Sequence, residues 1–222
     1  MSRSTWMCES DPTLSFCHEL DSRHYLLRFS RRFNRAMSQP TINSSRLLLR
    51  PFELSDAPDV KRLAGEHDVA DTTLNIPHPY EDGMAEEWIA SHKPEYEAGS
   101  VATFAIVLRD DLQLIGAIGL TLDREINRGE LGYWIAKPAW NSGYATEATT
   151  AVLEYGFGEL ELNRIAARHL VRNPASGRVM EKAGMTREGT ARQDTMRWGK
   201  YEDLVFYGIL REDWCGKGVL PR

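Results

Sequence analysis

Residues Trp140-Asn141-Ser142-Gly143-Tyr144-Ala145-Thr146-Glu147-Ala148 constrain this chain more than any other stretch. They follow an apparent strand, Gly129 to Ala136, and open an apparent helix, roughly Gly143 to Leu160. The first N–H groups of a helix have no intrahelical acceptor, and the helix dipole places partial positive charge among them. A strand, a short turn containing glycine and a helix start therefore make a seat for an anion such as a pyrophosphate, with no lysine required. Two other phosphate motifs are missing: there is no G-x-x-x-x-G-K-[ST], and no G-x-G-x-x-G after a strand. Taken alone, the nonapeptide fits a plain strand-to-helix turn equally well.

The 222 residues suit one domain with an appendage, large enough to bury a core without staples. A net charge of −5 gives the core domain no reason to bind nucleic acid. Cys8, Cys17 and Cys215 form no C-x-x-C pair, and the six histidines are scattered. The expectation is therefore no metal and a reducing, cytoplasmic setting. No apolar run reaches membrane-spanning length, and the N-terminus lacks the apolar block of a signal peptide.

The first 39 residues differ in character from the rest of the chain. Between Ser22 and Met37 stand five arginines and no acidic residue, with Leu26, Phe29, Phe33 and Met37 at helical spacing. One reading is a basic amphipathic helix that touches a membrane or RNA. The favoured reading is a loosely ordered extension, or upstream sequence ahead of a start at Met37. The expected organisation is an extension over 1–39, a domain over 40–214 and a tail over 215–222.

Ile42 to Phe52 reads as the first strand, with Leu47 and Leu49 alternating against Arg46, Leu48 and Arg50, and Pro51 limiting it. A helix follows Leu54-Ser55-Asp56, with Ser55 as its cap and Pro58 in its first turn. A second helix is expected over Asp82 to Glu97, with Met84, Trp88 and Ile89 on its apolar face and Pro94 kinking or ending it. Strands are expected over Thr103–Leu108, Leu114–Leu122 and Glu130–Ala136. The helix from Gly143 carries Ala145, Ala148, Val152 and Tyr155 on one face. Beyond it come a strand over Arg164–Val171, a short helix over Pro174–Ala183, and closing strands near Thr186–Met196 and Leu204–Leu210. This order is α+β, a mostly antiparallel sheet with one β-α-β passage at the turn.

These pieces coincide with a known pattern. Residues 41 to about 214 resemble the GNAT acetyltransferase superfamily, and in particular its RimJ/RimL-like branch. Arg46-Leu47-Leu48-Leu49-Arg50-Pro51-Phe52, Ile76-Pro77-His78-Pro79-Tyr80 and Ile115-Gly116-Ala117-Ile118-Gly119 carry the resemblance. So do Gly129-Glu130-Leu131-Gly132-Tyr133-Trp134-Ile135, the Gly143 to Ala148 turn, Asn173-Pro174-Ala175-Ser176, Glu181-Lys182-Ala183-Gly184-Met185, Tyr207 and Trp214. The resemblance implies a central mixed sheet with helices on both faces, in which two neighbouring strands splay into a V. It implies acetyl-CoA in that V, its pantetheine arm along the backbone of Trp134, Ile135 and Ala136. The pyrophosphate would lie on the amides of Ser142, Gly143, Tyr144, Ala145 and Thr146. A strand edge suits pantetheine because the arm is a chain of amides. The chain departs from the pattern twice. Trp140 stands at the first position of Q/R-x-x-G-x-G/A, and Asn141-Ser142 replaces the branch's common Gly-Lys. The phosphate seat therefore lacks a lysine charge, for which Arg178 is the candidate replacement.

Transfer of an acetyl group to an amine needs a neutral amine and a proton for the departing thiolate. Glu130 shares a strand face with Gly132 and Trp134 and is the candidate base, its bland reading being an ordinary paired strand glutamate. Asn173-Pro174 reads as an N-cap followed by Pro at N1. The resemblance adds that Asn173 touches the pantetheine arm and that Ser176 lies near the sulfur as candidate acid. Tyr207 is a rival donor. His78, Tyr80, Trp88 and Trp134 are candidates for the acceptor side, although aromatic residues more often pack in cores. The expected activity is direct acetyl transfer from acetyl-CoA to a primary amine, either a protein N-terminus or a small molecule, by a monomer or homodimer. No cysteine falls in the core motifs to carry an acyl-enzyme. A non-catalytic acyl-CoA-binding module on the same fold is the alternative, and the presence of both Glu130 and Ser176 favours the enzyme.

Overall fold

A computed structural model describes residues 38–215. The arginine-rich segment with its Leu26-Phe29-Phe33 stripe lies outside the described residues, as do Cys8, Cys17 and residues 216–222. The chain runs β1 (Ile42–Asn43), β2 (Leu47–Arg50), a 3-10 turn (Leu54–Asp56), α1 (Ala57–Ala64), α2 (His67–Asp71), α3 (Met84–Ala98), β3 (Val101–Leu108), β4 (Leu114–Asp123) and β5 (Arg128–Ile135). A second 3-10 turn (Lys137–Ala139) leads to α4 (Tyr144–Gly158), β6 (Arg164–Leu170), α5 (Pro174–Lys182), β7 (Thr186–Arg197), β8 (Lys200–Leu210) and α6 (Arg211–Cys215).

The strands form one sheet in the order β1-β2-β3-β4-β5-β6-β8-β7. Every neighbouring pair is antiparallel except β5–β6, which is parallel because α4 crosses over between them. Side chains alternate across the pleat, so successive residues of β3 serve opposite layers. Phe104 meets Tyr155 of α4 edge-to-face at 5.5 Å. Ala105 and Val107 join the cluster built with Val60 and Leu63 of α1 and Ala85 and Ile89 of α3. Helices thus cover both faces, as the resemblance implied.

The β5–β6 seam positions the site. Only Arg128–Leu131 pair with Arg164–Ala167. Further along, Gly132–Ile135 stay bonded to β4 and Arg168–Leu170 to β8, but the two strands no longer pair with each other. The sheet opens here into a V whose arms are each held from outside.

Four local expectations change. Ile42 to Phe52 is a hairpin and not one strand: Ile42 pairs with Leu49 and Asn43 with Leu48. Ser44 makes the turn, its N–H donating to the Leu47 carbonyl at 3.0 Å and its hydroxyl accepting from the Leu47 N–H at 3.2 Å. Such local side-chain bonds compete with an extended ladder. Ser55 is not the cap, because the Asp56 carboxylate takes the Glu53 N–H at 2.8 Å and two Arg50 guanidinium nitrogens at 2.7 and 2.8 Å. Pro94 does not end α3. The helix forgoes one backbone bond there and stops at Gly99, which adopts φ 64. Finally, β8 begins at Lys200 and not at Leu204, after a turn through Trp198 (φ 48) and Gly199 (φ 76), the left-handed pair that tight hairpins favour. The short helix α2 has no counterpart among the expected elements. Its five residues carry no side-chain cap and too little sequence to show a period.

Candidate active site

A cleft of about 990 Å³ runs through the V, lined from β4, β5, β6, Asn141 and Gly143–Thr146 of the turn into α4 (Ser142 lies outside the lining), the start of α5, and Thr72–Pro77. At one end the chain turns sharply through Asn141 (φ 61) and Gly143 (φ 81) into α4. The first intrahelical bond runs from the Glu147 N–H to the Gly143 carbonyl at 3.1 Å. The N–H groups of Tyr144, Ala145 and Thr146 therefore precede the helical ladder and face the cleft end with the positive pole of a 15-residue helix.

Arg46 supplies a cation here that the sequence motif lacks. Its Nε pairs with Glu147 Oε2 at 2.7 Å, its Nη1 donates to the Ser142 carbonyl at 3.1 Å, and its guanidinium lies 4.6 Å from the Tyr144 ring centre. The Glu147 carboxylate also accepts from the Arg46 N–H at 2.7 Å, Ser44 Oγ at 2.8 Å and Ser45 Oγ at 3.2 Å. Burial opposes its ionisation, but these donors outweigh burial and hold its pKa below the ordinary glutamate value. The β1–β2 hairpin is thereby riveted to the start of α4. Arg178, the replacement expected from sequence, also lines the cleft.

Along β5, the Ala136 N–H turns towards β4 and donates to the Ile115 carbonyl at 2.8 Å. Backbone groups alternate in direction, so those of Ile135 face the open edge. The Ile135 carbonyl accepts from the Trp140 indole Nε1 at 2.7 Å. Trp140 thus ties the cleft edge to the first residue of the phosphate-type turn. Trp134 and Ile135 line the cleft, whereas Ala136 is buried beside it.

Asn173 caps α5, its Oδ1 accepting from the Ser176 N–H at 3.3 Å, and its Nδ2 donates to the Thr72 carbonyl at 3.2 Å. Ser176 faces the cleft from the first turn of α5, with its Oγ 2.7 Å from the Tyr133 hydroxyl. Tyr133 also lines the cleft, and burial drives its phenol up to about 12 against the opposing effect of the Ser176 hydrogen bond. Period two on β5 puts Tyr133 on the face opposite Glu130 and Trp134. The sequence held that signal, but nothing in it named Ser176 as the partner. Tyr207 is not among the cleft-lining residues. It is buried, and its hydroxyl donates to Glu181 Oε1 at 3.0 Å.

Glu130 lines the cleft on the α1/α3 face and forms an ion pair with Arg168 on β6, Nε to Oε1 at 3.0 Å. Arg168 had no distinguishing sequence signal, and the pairing arises because Glu130 sits opposite Ala166 on the adjoining strand. Of the aromatic candidates, Tyr80 and Trp88 line the cleft together with Ile76, Met84 and Glu87. The structure does not bring His78 into it. The ring of His78 packs instead at 5.1 Å from His67 and 6.1 Å from Trp198, because the loop turns that side chain outward after Pro77. The loop is held from the β7–β8 turn, where Arg197 Nη2 donates to the carbonyls of Ala70 (2.8 Å) and Ile76. Behind Trp88, His92 is buried with its ring centre 4.4 Å from the indole, and neither ring nitrogen has a hydrogen-bond partner among the described residues.

Comparison with known proteins agrees with this geometry. Residues 46–186 match the family described as "Acetyltransferase (GNAT) domain". The chain is 35% identical over 174 residues to "Uncharacterized N-acetyltransferase YnaD" of Bacillus subtilis (strain 168), covering 78% of this chain and 98% of that protein. It is 29% identical over 178 residues to "Uncharacterized N-acetyltransferase p20" of Bacillus licheniformis, covering 79% and 99%. Among solved structures, an acetyltransferase (GNAT family) from Bacillus anthracis superposes with a TM-score of 0.70 at 30% identity, over 78% of this chain and 99% of that one. Among the described residues, no helix is long and apolar enough to cross a membrane. The splayed β5–β6 seam, the amide-lined turn into α4 and these likenesses converge: the chain belongs to the GNAT acetyltransferase family and is an N-acetyltransferase.

Proposed function

We propose that the protein transfers the acetyl group of acetyl-CoA directly to a primary amine within the β5–β6 cleft. The observation that carries this is the opening of the seam beside three N–H groups that precede the helical ladder of α4. The site fits acetyl-CoA on two counts. The N–H groups of Tyr144, Ala145 and Thr146, with Ser142, Gly143 and the nearby Arg46 guanidinium, suit a pyrophosphate. The open edge of β5 at Ile135, between Trp134 and Ala136, with Asn173 opposite, suits a chain of amides. Acetyl-CoA supplies an acetyl group already activated as a thioester.

The residues then divide the proton work. Glu130 takes a proton from the incoming ammonium, directly or through a water, while Arg168 holds its carboxylate in place. As the C–S bond breaks, Ser176 hydrogen-bonds the departing thiolate from the opposite face of the strand, and a proton passed on through its hydroxyl is replaced by the one the acylated nitrogen sheds, so the serine ends neutral. Tyr80 and Trp88, with Ile76 and Glu87, receive the body of the acceptor. The acceptor is a protein N-terminal amine or a small-molecule amine. A screen of both sets for CoA release tests the reading: an amine-dependent release is expected, and acetyl-CoA binding without release for any amine would favour a non-catalytic binding module instead.

A further inference from the structure

We propose that Tyr133 is a positioning residue for Ser176: its half-buried phenol donates to Ser176 Oγ and so directs the serine's own hydrogen into the cleft. This rests on the proposed role of Ser176 as proton donor. A serine hydroxyl has three staggered side-chain wells and a freely turning hydrogen, so it is poorly aimed unless something holds it. The neighbourhood of Ser176 is built to hold it. Asn173 fixes the backbone by capping Ser176 N–H at 3.3 Å. Gly177 lets the first turn of α5 lie close to β6 and β8, since a Cβ there would stand 2.8 Å from His169 Nε2 and 3.1 Å from the Tyr207 hydroxyl.

Among the described residues, Tyr133 alone grips the side chain, at 2.7 Å, from a strand position paired with Ile118 of β4. The phenol also reaches the Ser176 carbonyl at 3.3 Å, the longer and weaker of the two contacts. A donor that must stay neutral suits this task, and burial keeps the phenol protonated over the range in which such enzymes work. With Tyr133 donating to Oγ, the Ser176 hydrogen cannot point back at Tyr133 and is free for the sulfur. No bond is made or broken at Tyr133, so the role is purely one of aim.

The test combines Tyr133→Phe, Ser176→Ala and the double variant, each measured for turnover and, by calorimetry, for acetyl-CoA affinity. The expected result is a fall in kcat of about tenfold for Tyr133→Phe, the effect of one hydrogen bond, with acetyl-CoA affinity unchanged. In the Ser176→Ala background the same change should cost nothing further. Equal losses in both backgrounds, or a loss of affinity at unchanged kcat, would overturn the inference while leaving Ser176 in place. Wild-type turnover for Ser176→Ala would remove the proposed acid, and this inference with it. Should Tyr133→Phe fold poorly, difluorotyrosine at position 133 preserves the ring's shape and gives a fluorine signal that reports the phenol's ionisation without any turnover. That ionisation should move to higher pH when Ser176 is replaced by Ala, and an unmoved titration would overturn the contact itself.

Discussion

Arg46 and Glu147, 101 positions apart, form the ion pair that fixes the first strands to the start of α4, with Arg46 Nε 2.7 Å from Glu147 Oε2. Three further donors converge on the same carboxylate. Glu147→Ala should therefore cost about 2 kcal/mol at neutral pH, because it strands charge-assisted donors. The lowered folded pKa of Glu147 sets the sign of its pH dependence. Its stabilisation is complete above the unfolded glutamate value, near pH 4.3, and is lost as pH falls through the lower folded value. Melting temperatures of wild type and Glu147→Ala should thus differ at pH 7 and converge in acid. A constant difference would contradict the assignment.

His92 acts in the opposite register. Burial lowers its pKa from 6.5 to about 4. Between those values the unfolded chain binds a proton that the folded chain refuses, so stability falls as pH drops from about 6.5 towards 4. The full effect is on the order of 3 kcal/mol. Because neither ring nitrogen is bonded, His92→Phe should not destabilise the protein through a lost partner at pH 7, and it should flatten the melting profile between pH 6.5 and 4. An unflattened profile would show that His92 is protonated in the folded state.

Glu130 faces the cleft with Arg168 as its partner. Glu130→Gln should lower turnover by roughly 100- to 10,000-fold while leaving acetyl-CoA affinity nearly unchanged, as expected on loss of a general base. Wild-type rates across pH would reduce Glu130 to a structural partner of Arg168.

A chain beginning at Met37 should fold and keep acetyl-CoA binding. Gln39 already donates from Nε2 to the Thr103 carbonyl at 2.7 Å, and β1 starts at Ile42, so the domain's own contacts begin beyond that point. Equal melting temperatures for the long and short chains are expected. A loss of several degrees would show that the Leu26-Phe29-Phe33 stripe packs on the domain.

The succession of elements from β5 to β8, the α4 start and the Asn173 cap were legible in the sequence, because each depends on local period and turn chemistry, whereas the placing of β8 between β6 and β7 was not. The β1–β2 hairpin was missed, although its turn falls in the polar run Asn43-Ser44-Ser45-Arg46 between Ile42 and Leu47. Of the two effects expected of Pro94, ending the helix did not occur, because proline's local cost was outweighed by the packing of Ile89, His92 and Tyr96 on one buried helix face. Among the cleft-lining residues, those in single short motifs, such as Glu130, Trp134, Tyr144 and Ser176, were legible. Pairings across the fold were not: Arg46 with Glu147, Glu130 with Arg168 and Tyr133 with Ser176 join elements 38 to 101 residues apart. The outward placing of His78 was not legible for the same reason, because its flanking prolines reveal a loop but not the direction in which the ring points.

The most direct test of the central claim is a calorimetric titration of the folded protein with acetyl-CoA, run beside Gly143→Val. The account predicts about one site per chain for wild type, with a matching rise in melting temperature. It predicts much weaker binding for Gly143→Val, since φ 81 at the turn is strained for valine and the backbone must lie close to the phosphates. Absence of acetyl-CoA binding to the folded wild-type protein would contradict the account.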